Sequence, residues 1–231
     1  TRSDSSGSLS SFELIPGLGV ELAVRHISGC RNPLDNHYDW SVIVVYSGSA
    51  TGKHLNHALE RNLATAVDDG IVTDAVISQS EEQSRQIWAI REGLREAQTL
   101  EGVAFSHDIS VKVSSVPQLI HRASAAGAKL VPGVRPYPFG HVGDGNIHFS
   151  FLQPLDLAVE TFEPRRLEFN KMIFQLVHEL RGSFSAEHGV GLLRLEEMKQ
   201  FKNPTGLRVM AKIKNALDPN GILNPGKVIP Q

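Results

Sequence analysis

A chain of 231 residues with 41% hydrophobic and 21% charged residues can bury a substantial core, as one large domain or two small ones. Its 25 acidic and 23 basic residues nearly balance and form no lysine- or arginine-rich stripe, which argues against a nucleic-acid or anionic-membrane surface. No apolar run reaches membrane-spanning length, and the single cysteine, Cys30, has no internal disulfide partner, so a reducing compartment is expected, the cytoplasm first with the mitochondrion left open.

The opening "TRSDSSGSLSS" is rich in serine and glycine, so residues 1–11 are expected to be a linker and residues 12–231 the folded domain. "YDWSVIVVYSG" then reads as a strand. In "HLNHALERNLATAVDDG", Leu55, Ala58, Leu59, Ala66 and Val67 fall on helical spacing, with Gly70 as the stop. "IVTDAVIS" reads as a second strand, and "SEEQ" at Ser80–Gln83 as a capping box opening a helix through "RQIWAIREGLREAQ". A strand in "GVAFSHDISVKVSS", a helix in "VPQLIHRASAAGAKL", a strand from Asn146 and a long helix over residues 164–181 follow. The tail is helical in pattern, interrupted by "NPTG" and closed by "DPNGILNPGK". Several strands alternate in polarity, which predicts an α+β fold with a largely antiparallel sheet and helices mainly on one face. "SGSATGKH" imitates a phosphate-binding loop but fails it, with Ser47 in place of the first glycine and His54 in place of the magnesium-binding hydroxyl.

The chemistry concentrates in "GHVGDGNIHFSF". From Asn146 the residues alternate, so Ile147, Phe149 and Phe151 share one face and Asn146, His148 and Ser150 the other. Gly143 and Gly145 give the preceding turn the freedom to aim His141 at that polar face. A second polar cluster, "SFSAEHGVG", carries Glu187 and His188 in a glycine-rich loop. Two histidines and a carboxylate make a zinc-type ligand set with positions left open; the competing reading is that they only hydrogen-bond within turn, strand and loop. Arg91 lies beside the apolar stripe Ile87, Ile90, Leu94 and Ala97, where it either covers the core edge with its stem or aims its guanidinium at a bound carboxylate.

The motifs "WAIRE", "HDISV", "GHVGDGNIHFSF", "SAEHGVG" and "DPNGILNPGK", in that order, resemble the C-terminal domain of the FAD-linked oxidases, the family of D-lactate, D-2-hydroxyglutarate and glycolate dehydrogenases. The resemblance covers nearly the whole chain after the linker. It implies a substrate-covering cap domain, with FAD held mainly by a separate N-terminal domain absent from this chain, and a small 2-hydroxy acid as substrate. A homodimer is compatible with it. By the same resemblance His141, His148 and Glu187 match ligands of a divalent metal, zinc first. His188 matches the base that takes the substrate's hydroxyl proton, and Arg91 a substrate-carboxylate contact. Ser150 stands at a substrate-contacting position where the 2-hydroxyglutarate branch has asparagine. Ser106 replaces a lysine, Arg95 a threonine and Lys112 a proline, so the far end of the substrate pocket is expected to differ from that branch. Two alternatives from other classes are a ligand-binding module without catalysis and a free-standing zinc hydrolase with His188 as base. An FAD-binding segment encoded upstream of Thr1 would separate them.

Overall fold

A computed structural model describes residues 9–48 and 52–230. Strand β1, Leu9–Pro16, runs directly into helix α1, Gly17–His26, and pairs antiparallel with β2, Trp40–Tyr46. Helices α2, Gly52–Asp68, and α3, Glu81–Leu100, follow. A second antiparallel sheet has the order β3–β5–β4, built from Ala104–Ser110, Asn146–Leu152 and Arg135–Phe139, with α4, Val116–Leu130, between β3 and β4. Leu14 and Gly140 exchange backbone hydrogen bonds of 2.9 and 3.1 Å, which join β1 to the end of β4. The chain continues through α5, Val159–Phe162, α6, Arg166–Glu179, α7, Leu195–Phe201, and α8, Pro204–Leu217.

Period-two alternation puts Phe105 and Ile109 of β3 beside Ile147, Phe149 and Phe151 of β5, on the face that meets α4 and α6. Phe105 stacks on Phe162 with centroids 4.2 Å apart, and Phe151 lies 4.7 Å from Phe169. Each of these rings contributes about 1.5–3 kcal/mol through burial. His107 sits in the same layer, within hydrogen-bonding distance of Phe149 O and Asn170 Oδ1. Burial pushes its pKa down to about 4, so it is a neutral core histidine.

The sequence pattern and the structure agree on an α+β fold with antiparallel pairing, but helices cover both faces of the sheet rather than mainly one. On the second face, Tyr137 and Phe139 of β4 pack with Leu22 and Ala23 of α1 and Ile90, Leu94 and Ala97 of α3. The reason is β4 itself, whose prolines in "RPYPF" conceal a strand that supplies the apolar half of that face. The structure also adds β1 and α1 to the elements read from the sequence pattern. β1 takes in Leu9–Ser11 of the stretch expected as linker, while residues 1–8 of that stretch lie outside the described residues, as do residues 49–51 of the rejected phosphate-loop segment. Residues 71–78 form no strand. Ile71 is 78% exposed, and the N–H groups of Ile71 and Val72 both close back onto Ala66 O at the end of α2. β-favouring residues without a neighbouring edge do not make a strand.

The predicted start of α3 holds, whereas the helix expected over residues 164–181 is α6, Arg166–Glu179, entered through a 3-10 turn at Glu163–Arg165. Ser80 Oγ accepts the Gln83 N–H at 3.2 Å, while Gln83 Oε1 reaches back to the Gln79 N–H rather than that of Ser80. "NPTG" is itself the opening of α8, where Asn203 accepts the Thr205 N–H at 2.8 Å. Among the described residues no helix is long and apolar enough to cross a membrane.

Candidate metal and substrate site

β5 pairs with β3 in a register that sets His148 opposite Asp108. His141 enters from the turn before β5, where Gly140 has φ 145° and Gly145 φ 83°. A Cβ on Gly145 would stand 1.9 Å from Val111 O, and one on Gly140 2.8 Å from Asn146 O, so backbone approach as well as conformation requires glycine there. Positive φ thus falls on Gly140 and Gly145 rather than on Gly143.

Asp108 shapes the second half of the site. Its Oδ2 accepts three consecutive backbone N–H groups, from Ala186 at 3.0 Å and from Glu187 and His188 at 2.8 Å each. A reciprocal pair of backbone bonds between Ser110 and Ser183, 3.0 and 2.8 Å, anchors the start of the same loop. The loop is thereby folded against the open end of β3 and β5. Glu187 Oε1 lies 3.1 Å from His148 Nε2, and Glu187 Oε2 lies 3.8 Å from His141 Nε2. The His141 and His148 rings meet edge-on at 5.7 Å, and the His188 ring stacks on His148 at 5.4 Å. The structure therefore brings His141, His148, Glu187 and His188 into one cluster, at whose rim the His188 side chain stays 53% exposed.

Arg91 reaches this cluster through a residue that sequence reasoning missed. Glu13 of β1 is 3% exposed; its Oε2 accepts the Arg91 Nε–H at 2.8 Å and its Oε1 faces His141 Nδ1 at 2.7 Å. Burial pushes the Glu13 carboxyl upward, but the bonds to His141 and Arg91 outweigh it and hold the group below the usual carboxylate range. The Arg91 guanidinium also lies over the Phe139 ring at 5.0 Å.

The donor set fits a divalent cation. Asp108, His148, Glu187 and His188 each offer one ligand atom, all within 4.8 Å of one another, and His141 borders them through Glu187. Burial disfavours the charged form of His148, against the opposing pull of Glu187, and so keeps available the neutral imidazole that a metal requires. Asp108 Oδ1 is a buried acceptor with no hydrogen-bond donor among the described residues, an oxygen that a cation would satisfy.

Ser150 lies two residues further along β5 and is 1% exposed. Its hydroxyl donates to Ser106 Oγ at 2.9 Å, and Ser106 Oγ also accepts Gln98 Nε2–H at 3.0 Å. Buried Ser150 and exposed Ser106 thus form a neutral hydroxyl pair beside Gln98 of α3, outside the His141–His148–Glu187–His188 cluster. Arg95 and Lys112 are exposed.

An α+β domain with histidines and carboxylates gathered at one end of its sheet is the class that this fold and cluster define, and the comparisons supply its family. The chain matches the FAD linked oxidases, C-terminal domain, over residues 3–228, and belongs to that family. It is 33% identical over 226 residues to a protein of Arabidopsis thaliana named D-2-hydroxyglutarate dehydrogenase, mitochondrial, covering 96% of this chain and 38% of the relative. Against the D-2-hydroxyglutarate dehydrogenase of Stutzerimonas stutzeri it is 37% identical over 172 residues, 73% of this chain and 37% of that one. The chain therefore spans well under half the length of these relatives. The solved structure of a 4-ethylphenol oxidase from Gulosibacter chungangensis, in complex with isoeugenol, shares the fold with a TM-score of 0.57 at 15% identity, over 96% of this chain and 48% of that one.

Proposed function

We propose that this chain is the substrate- and metal-binding part of a flavin-dependent dehydrogenase that oxidises a 2-hydroxy acid to the 2-oxo acid. The observation that carries it is the convergence of His148, Glu187 and His141 with a fourth imidazole, His188, stacked at the exposed rim. The relatives named D-2-hydroxyglutarate dehydrogenases support the substrate class. His141, His148 and Glu187 would hold a divalent metal, zinc first, which when bound would polarise the substrate's carboxylate and hydroxyl. FAD, held mainly by a flavin-binding domain outside this chain, would accept the hydride. The work of this chain's residues is then specific. Arg91, held by Glu13, attracts the substrate carboxylate. His188 takes the hydroxyl proton on Nε2, the nitrogen turned toward Glu187 at 3.8 Å, as the hydride leaves the adjacent carbon. One proton and one hydride leave together, and the alcohol carbon becomes the ketone.

The far end of the pocket narrows the substrate. Ser106 and Ser150 offer hydroxyls where the 2-hydroxyglutarate branch offers a lysine and an asparagine, and Arg95 stands where it has a threonine, so a second carboxylate would meet a different set of groups. We propose a 2-hydroxy acid whose far end differs from that of 2-hydroxyglutarate. The test is anaerobic flavin reduction by the complete enzyme with a panel of D-2-hydroxy acids. Bleaching of the flavin, with kcat/KM higher for another member of the panel than for 2-hydroxyglutarate, is expected. No bleaching by any 2-hydroxy acid would overturn the reading.

A further inference from the structure

Besides Asp108, a second acidic side chain of the site is fixed by hydrogen bonds, and that is Glu13. It lies 128 positions from His141 in sequence, is buried, and uses both carboxylate oxygens: Oε1 toward His141 Nδ1 and Ser11 Oγ, Oε2 toward Arg91 Nε. We propose that Glu13 is the positioning residue that couples the two halves of the site. It fixes His141 in the tautomer with the proton on Nδ1, and it holds Arg91 on the same carboxylate.

The argument is one of donors and acceptors. An ionised carboxylate only accepts hydrogen bonds, so at 2.7 Å the proton must sit on His141 Nδ1. The Nε2 lone pair is then free on the side that faces Glu187 at 3.8 Å. Arg91 only donates, so it too requires an acceptor, and Oε2 is that acceptor. Glutamine would break this symmetry. Its carbonyl can serve only one of the two partners, and Arg91 admits nothing else. The amide nitrogen must then turn to His141 and donate to Nδ1, which moves the imidazole proton to Nε2 and closes that nitrogen to a cation. A carboxylate behind a ligating imidazole is a recurrent way to orient it, and loss of such a partner weakens metal binding about 10–100-fold.

The consequence for metal rests on the function proposed above; the tautomer does not. The test therefore begins without metal, with histidine side-chain ¹⁵N spectra of the 231-residue chain at pH 8. His141 is expected with a protonated Nδ1 and a bare Nε2, and Glu13→Gln is expected to invert that pattern. A wild-type His141 protonated on Nε2 would overturn the proposal, and needs no variant to fold. Zinc titrations form the second arm. Glu13→Gln should lower Zn²⁺ affinity about 10–100-fold, and should add nothing further in a His141→Ala background, because Glu13 acts through that ring. Equal, additive losses in both backgrounds would mean a merely structural acid and sink the proposal. A chain that shows the expected tautomers but binds no Zn²⁺ would sustain the positioning role and overturn the metal reading instead.

Discussion

The two faces of β3 and β5 are built from the same strands and the same alternation, yet they are held in opposite ways. Toward α4 and α6 stand Phe105, Ile109, Ile147, Phe149 and Phe151, each touching several interchangeable apolar neighbours. Toward the site stand Asp108, His148 and Ser150, each joined to particular atoms: Asp108 to the N–H groups of residues 186–188, His148 to Glu187, Ser150 to Ser106. On the first face energy is spread over many contacts, so stability belongs to the layer. On the second each function belongs to one contact, often made by a residue far away in the chain. A substitution should therefore change stability on one face and chemistry on the other, and that separation can be attacked.

The largest expected effect is on the site face. His188→Asn in the complete enzyme should lower kcat by about 10²–10⁴-fold while metal content and melting temperature stay near wild type. Near-normal turnover in a metal-loaded variant would remove His188 as the base. The counterpart on the core face is Phe151→Ala, expected to cost about 3–5 kcal/mol in urea denaturation and to leave zinc affinity within a few-fold of wild type. Equal damage to both properties would mean that the faces are not separable.

The helical layer over the site face is pinned at one end by an ionic hub, which sharpens the contrast further. Glu101, at the end of α3, binds Arg135 of β4 at 2.5 Å and Arg25 and His26 of α1 at 3.1 and 2.7 Å. Burial pushes this carboxyl upward, but the bonds from Arg135, His26 and Arg25 pull it down from 4.5 to about 2. Because the folded value is the lower one, this stabilisation is complete above pH 4.5 and lost as pH falls toward 2. Glu101→Gln should cost about 2–4 kcal/mol at pH 7 and flatten the acid limb of a melting-temperature profile. An unchanged limb would place the acid sensitivity elsewhere. The smallest effect is local. Asp108→Asn keeps the shape but loses the charge, and should lower the free energy of opening of residues 186–188 by about 1.5–3 kcal/mol in hydrogen exchange, with little global change.

How much of this could be read from the chain follows from the range of each interaction. His148 and the core residues of β5 were legible because alternation is local, and α3 because Ser80 and Gln83 mark its start within one turn. The same alternation places Asp108 beside Ser106 on the polar face of β3, so its position was available even though its three N–H partners were not. Glu13 left no local signal. It sits in an apolar run after a serine-rich opening, and its meaning comes only from His141 and Arg91, 128 and 78 positions away. β4 was hidden because prolines suit a strand only where no ladder N–H is required. Residues 71–78 mislead in the other direction, since strand-forming side chains find no partner there.

The central claim is that His141, His148 and Glu187 hold one metal ion between the turn before β5 and the loop pinned by Asp108. Anomalous diffraction at the zinc edge from crystals grown with Zn²⁺ tests it most directly. The account predicts a single strong peak bonded to His148 Nε2, a Glu187 oxygen and His141 Nε2, at about 2.0–2.2 Å from each, and its disappearance in His148→Ala. A peak elsewhere, or the same peak in His148→Ala, would contradict it.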